Sequence, residues 1–220
     1  MKILYIFAHP EPRSFNSAMK EAALRTLDEQ GHEVKLSDLF AMDFKPVLDR
    51  RDFLQPKRTD VFNPFMEQMH ASKKGTFSKD IMDEMEKVTW VDILIFQFPI
   101  YFTGFPAMIK GWIDRVFAAG FAFNPATGSM YEAGLLRGKK AMLVMTAGAD
   151  EALYSKGGAH GDINELLRYI THCTLGYTGL EVLPSYIVFG AGKMSEERVR
   201  SEISSYIERL RSLAQYAQKN

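Results

Sequence analysis

Val91-Asp92-Ile93-Leu94-Ile95-Phe96-Gln97-Phe98-Pro99-Ile100-Tyr101-Phe102-Thr103-Gly104-Phe105-Pro106-Ala107-Met108-Ile109-Lys110-Gly111-Trp112-Ile113-Asp114-Arg115-Val116-Phe117 changes its periodicity once, and that change decides the fold. Val91–Phe98 is an apolar run with the character of a strand, and Pro99 ends it. Beyond Pro106, which suits a first helical turn, apolar residues fall at Met108, Ile109, Trp112, Ile113, Val116 and Phe117. That is the spacing of one buried helical face. The aromatics, Thr103 and Gly104 between them lie at the carboxyl end of a strand, where open α/β sheets bind ligands. Such a loop fits a greasy core turn as well as it fits a flat aromatic ligand, so the rest of the chain has to decide.

Upstream, Lys2–Ala8 reads as a buried strand. It runs into Ala8-His9-Pro10-Glu11-Pro12-Arg13-Ser14-Phe15-Asn16, with Ser14 as a helix N-cap and Gly31 as the stop. A strand feeding a loop onto a helix N-terminus offers an anion its free N–H groups and the helix dipole, although a capped helix is often only that. No G-x-G-x-x-G is present, which removes a Rossmann-type dinucleotide fingerprint. His32–Phe40 predicts a second strand. Residues 41–76 read as an irregular, charged and proline-interrupted excursion, a feature that in compact domains is normally functional or interfacial. A helix is expected from about Ser78 to Thr89.

Downstream, Phe121–Tyr131 reads as a second loop with exposed aromatics. A fourth strand ends at Met145, and the small residues of Thr146-Ala147-Gly148-Ala149 let backbone approach a ligand. Tyr154, then His160-Gly161-Asp162, precede a helix to about Leu175. Leu180–Phe189 predicts the last strand, and Ser195–Ala214 an amphipathic helix. Strands alternating with helices imply one domain over residues 1–220: α/β, doubly wound, with a five-stranded parallel sheet and helices on both faces.

Composition fits a soluble globular chain of 220 residues, 46% hydrophobic and 25% charged. Lys+Arg and Asp+Glu balance at 27 each, which argues against nucleic acid or an anionic membrane as partner. The single cysteine, Cys173, cannot form an internal disulfide and reads as a core thiol beside an ordinary His172. No other residue has the spacing of a metal ligand, so no metal is expected. The N-terminus lacks a signal peptide, and Gln97, two prolines and Gly104 interrupt the apolar stretch 93–109, so no membrane span is expected. A cytoplasmic protein follows.

Taken together, Ala8-His9 with Ser14-Phe15-Asn16, Met19–Ala23, Ser37-Asp38-Leu39, Ile95–Pro99, Lys110-Gly111-Trp112, Arg115-Val116-Phe117 and Tyr154-Ser155 with His160-Gly161-Asp162 resemble the NAD(P)H:quinone oxidoreductases of the DT-diaphorase type. The likeness runs from Met1 to about Leu213, on the pattern of the family's shorter branch. It implies a flavodoxin-like fold, FAD rather than FMN, NADH or NADPH as hydride donor, and a quinone or other flat acceptor. It also implies a homodimer whose active site lies at the subunit interface.

Position by position, the resemblance places His9, Ser14, Phe15 and Asn16 on the FAD pyrophosphate and adenosine side. It sets Pro99, Ile100, Tyr101, Phe102 and Thr103 along the isoalloxazine edge, with Thr146, Ala147, Gly148 and Ala149 as a second flavin loop. Asn63 is expected to serve the partner's FAD, and Arg198 the adenine end. Tyr154 and His160 are the expected catalytic pair, a donor and a chargeable group for the negative charge that the flavin acquires. Phe123, Asn124 and Tyr177 are expected to line the acceptor pocket.

The chain departs from the family at several of these positions. Thr146–Ala149 replaces Thr-Thr-Gly-Gly, Phe102-Thr103 replaces Trp-Phe, Phe123 replaces a Tyr, and Tyr177 replaces a Phe. A two-residue insertion near Pro125–Gly128 removes the register for a second Tyr. The alternatives carried forward are a regulatory flavoprotein subunit of a potassium-efflux channel and an FMN azoreductase. A small acidic flavodoxin fits this neutral chain poorly.

Overall fold

In the computed structural model, which describes residues 1–213 and 215, β1 (Lys2–Phe7) lies between two parallel neighbours. These are β2 (Glu33–Asp38) and β3 (Ile93–Pro99), and β4 (Lys140–Thr146) follows β3. The strand order is β2-β1-β3-β4-β5, with β5 being Glu181–Val182. A parallel sheet needs crossover helices, and burial along β1 shows both faces covered. Ile3, Tyr5 and Phe7 pack on one side with α1 (Phe15–Glu29) and α7 (Glu196–Arg211), through Met19, Leu27, Tyr206 and Leu210. Leu4 and Ile6 pack on the other with α3 (Lys79–Trp90) and α4 (Ala107–Val116), through Val88, Trp112 and Val116. The sheet is doubly wound, and every strand's carboxyl end points to one edge.

The strand expected over Leu180–Phe189 is two pieces, β5 (Glu181–Val182) and β6 (Tyr186–Val188), both parallel to β4. Pro184, which has no N–H for the ladder, sits in the break. The excursion is also less irregular than expected, because Pro64–Lys74 forms α2. Asn63 caps it by accepting from the Met66 N–H at 3.1 Å, Pro64 takes the first turn, and Gly75 ends it with φ +66°.

The helix expected up to Leu175 is broken into α5 (Ile163–Leu166), α6 (Arg168–Ile170), a π turn over Thr171–Leu175 and a 3-10 turn over Gly176–Thr178. Hydroxyls of Thr171, Thr174 and Thr178 bond back to carbonyls of this run, competing with a regular ladder. Cys173 lies on this segment and is exposed, so the expected core thiol is corrected. The last helix starts at Glu196 under a Ser195 cap; its expected end, Ala214, lies outside the described residues.

Candidate active site at the carboxyl edge of the sheet

Three strand ends build a cradle. At β1, Ser14 caps α1 by accepting from the Ser17 N–H at 3.1 Å, while the N–H groups of Phe15 and Asn16 have no acceptor within the helix. Asn16 itself is buried: its amide donates to Thr146 Oγ1 at 2.9 Å, and its carbonyl accepts from Gln97 Nε2 at 2.7 Å. Gln97 in turn accepts from the Tyr5 hydroxyl, which lies 2.9 Å from that of Tyr206. Tyr5 has one proton and gives it to Gln97, so Tyr206 donates to Tyr5. One polar chain therefore runs from α7 through β1 and β3 to the first turn of α1 and the end of β4. Burial holds both tyrosines neutral, pushing each pKa well above the ordinary phenol value.

At β3, Ile100 N–H donates to Thr146 O at 2.9 Å, joining this loop to the next. Tyr101 and Gly104 then exchange backbone hydrogen bonds across a two-residue turn whose central residues, Phe102 and Thr103, have φ +48° and +57°. Glycine or asparagine normally fills such a turn, and a bulky aromatic followed by a β-branched residue is strained there. Each costs on the order of 1–3 kcal/mol, supplied by the surrounding packing. The result is a phenyl ring at Phe102 that stands fully in solvent, with Tyr101 half exposed beside it. At β4, Ala147 is buried, while a Cβ built on Gly148 would meet nothing within 4 Å. That open backbone gives a flat ligand an approach.

Beyond β4, a 3-10 turn (Glu151–Tyr154) brings Tyr154 against His160, ring centroids 4.9 Å apart, and against Phe189 at 5.5 Å. The His160 N–H is tied to Leu153 O at 2.9 Å. Gly158 makes the tight return possible, because a Cβ there would fall 2.4 Å from Ala152 O. Next to this pair a cavity of about 430 Å³ is walled by Asp150, Glu151, Ala152, Ile187, Phe189, Arg198 and Glu202. Arg198 Nη2 donates to Phe189 O at 2.7 Å there.

A second aromatic group gathers Phe123, Tyr131, His172 and Tyr177. Tyr177 stands edge-on to both Phe123 and Tyr131 at 5.2 Å, and Tyr131 stacks on His172 at 5.0 Å. Asn124 beside it is spent on its own turn, accepting from Ala126 N–H at 3.1 Å.

The profile of a family described by its flavodoxin-like fold matches residues 1–213. Mouse ribosyldihydronicotinamide dehydrogenase (quinone) is 40% identical over 213 residues, covering 96% of this chain and 91% of that protein. NAD(P)H dehydrogenase (quinone) 1 of the guinea pig Cavia porcellus is 43% identical over 203 residues, covering 92% and 73%. The chain belongs to the NAD(P)H:quinone oxidoreductase family. A Klebsiella pneumoniae protein solved as a candidate quinone reductase superposes with a TM-score of 0.92 at 42% identity, covering 97% of this chain and 85% of that one.

Of the residues that the family likeness pointed to, His9, Ser14, Phe15, Asn16, Pro99–Thr103 and Thr146–Ala149 lie at adjoining strand ends, with Tyr154 and His160 following β4. Asn16 and Thr146 spend their side chains on each other, so they shape the cradle from beneath. Phe123 and Tyr177 meet in the second aromatic group, and Asn63 caps α2. Sequence reasoning read His172 as an ordinary residue beside Cys173 and passed over Tyr5, Tyr169 and Tyr206, whose partners are distant in the chain and leave no periodic signal.

Proposed function

We propose that the protein is a flavin-dependent NAD(P)H:quinone oxidoreductase that binds FAD and works as a homodimer. The observation that carries this reading is the Tyr154–His160 ring pair, which follows β4 and its open Gly148 backbone at the carboxyl edge of the sheet. The residues present fit a flavin dinucleotide. The free first-turn N–H groups of α1, near His9, suit a pyrophosphate. The cavity that starts at Asp150 and holds Arg198 gives room for an adenosine, which favours FAD over FMN.

A bound flavin supplies two-electron hydride chemistry that joins an NAD(P)H donor to a quinone acceptor. The chain's own part is to orient and to stabilise. Phe15, Asn16 and the Gly148 backbone hold the group. Phe102 and Tyr101 border the slot in which the two flat substrates lie in turn. Tyr154 donates a hydrogen bond from Oη where negative charge develops, and the His160 imidazole holds a proton there. Phe123 and Tyr177, in an aromatic group apart from the Tyr154–His160 pair, suit a wall that one protomer lends its partner's slot.

Anaerobic rapid mixing tests this. NADH or NADPH should bleach the flavin absorbance in a first phase, and a quinone added afterwards should restore it, with parallel-line steady-state kinetics. No bleaching by either nucleotide, or no recovery with any of several quinones, would remove the reading.

A further inference from the structure

Tyr169, on α6, has no part in the family likeness, yet it reaches the turn that carries Phe102. Its hydroxyl accepts a hydrogen bond from the Phe105 N–H at 3.1 Å across 64 residues of chain. Its ring stands edge-on to Phe105 at 6.2 Å, and Phe105 packs on Phe98 of β3 at 5.3 Å. Gly104 makes the approach possible: a Cβ there would lie 2.5 Å from the Tyr169 oxygen, and the next nearest atom outside Tyr169 is Tyr101 O at 3.6 Å. Gly104 has no positive φ, so the glycine answers to Tyr169 and not to the backbone. The strained Phe102–Thr103 turn therefore has an anchor just behind it, while its tip projects into solvent.

We propose that Tyr169 is a positioning residue for the acceptor slot: by pinning Gly104–Phe105 it keeps the strained turn upright, so that the Phe102 ring is a fixed wall selecting broad, flat acceptors over single-ring ones. The proposal rests on the quinone-reductase reading for what fills the slot. The pin itself rests only on the contacts above. A fixed ring rewards a ligand that spans enough area to stack against it, whereas a single-ring quinone loses little when the wall moves.

The test compares Tyr169→Phe, which removes the acceptor, with Gly104→Ala, which keeps the hydroxyl but pushes it off the Phe105 N–H. Gly104 is buried, but the atom that a methyl there would meet is the tip of the Tyr169 side chain, which is 43% exposed and free to swing away. Amide exchange at Phe105 is read by NMR, and emission anisotropy is read as the difference between each background with and without Phe102→Trp, because Trp90 and Trp112 also emit. KM is then measured for a three-ring and a one-ring quinone. Expected are faster Phe105 exchange, lower anisotropy, and a KM for the three-ring quinone raised about three- to tenfold in both variants. The one-ring KM should move less, kcat should change less than KM, and the double variant should be no worse than either single one. Unchanged exchange in both variants overturns the pin. Faster exchange with an unchanged KM ratio overturns the role in selection. A wild-type protein that reduces no quinone overturns the selection claim through the functional reading, and the exchange data still report the pin by themselves.

Discussion

At Tyr154 the phenol is wedged between His160 at 4.9 Å and Phe189 at 5.5 Å, and this wedge fixes where its hydroxyl points. Tyr154→Phe keeps the wedge and loses the donor; His160→Gln keeps a polar group and loses the imidazole. Each should slow flavin reduction by NAD(P)H roughly tenfold to hundredfold in rapid mixing, with flavin still bound. Unchanged rates would take both residues out of the mechanism. These two were legible only through the family likeness, because a Tyr and a His on a loop carry no periodicity. Tyr169 was not legible at all. Its role is one contact with a turn whose left-handed residues, Phe102 and Thr103, read in sequence as ordinary aromatic and β-branched positions.

Among the elements, β1 shows how a strand reads correctly and incompletely. Its apolar run announced a buried strand, and Tyr5 was absorbed into that run as one more large side chain. Its hydroxyl instead joins Tyr206 of α7 to Gln97 of β3, and so to Asn16 and Thr146 in the cradle. Tyr5→Phe leaves the Gln97 oxygen without its donor in a dry core and should cost about 1–3 kcal/mol, read as a lower Tm or denaturant midpoint. Looser flavin binding should accompany it.

Burial raises the pKa of Tyr5 and Tyr206, and that of Tyr186 to about 12, where burial and the nearby Glu202 act together. Raised phenol pKa values mean stability that is complete below the free value of 10.0 and is lost as pH climbs past it. The tyrosinate absorbance of these three, out of nine tyrosines in the chain, should therefore be absent from the folded protein's alkaline titration and appear together with unfolding. Absorbance for all nine developing near pH 10 in the folded protein would contradict the buried pair. Helix α2 escaped the sequence for a different reason. Pro64 looked like a breaker when it is a first-turn residue, and two of the buried positions, Glu67 and Gln68, are polar and break the apolar pattern.

For the whole molecule, the question is what holds the excursion of residues 41–63 against the sheet. Arg115 of α4 and Asp52, both 1% exposed, pair through Nε and Nη2 at 3.1 and 2.9 Å. Arg115 Nη1 also donates to Lys45 O at 2.8 Å. Gly111 lets Pro46 lie directly on α4, since a Cβ there would fall 2.0 Å from the Pro46 carbonyl. Arg115→Met removes the buried guanidinium from both Asp52 and Asp80 and leaves Lys45 Nζ, 2.5 Å from Asp52 Oδ1, to hold the Asp52 carboxylate, which should cost about 2–3 kcal/mol. If the excursion carries Asn63 to a partner's site, the variant should also lose dimer in analytical ultracentrifugation before it loses the sheet.

Acid should act on the same region. Burial raises the pKa of Asp80, but hydrogen bonds from Ser78 and Arg115 outweigh it and hold the carboxyl below 3.8. The stability it contributes is full above that value and is lost as pH falls through the depressed folded pKa. Proteolytic nicking within residues 41–63 should appear first below about pH 4.

The central claim is that the three decorated strand ends hold a flavin. The visible spectrum of the purified protein, followed by chromatography of the cofactor released on denaturation, tests it most directly. The expected result is a yellow protein with flavin absorption bands that releases FAD in about one copy per chain. A colourless protein that takes up neither FAD nor FMN when either is added would contradict it.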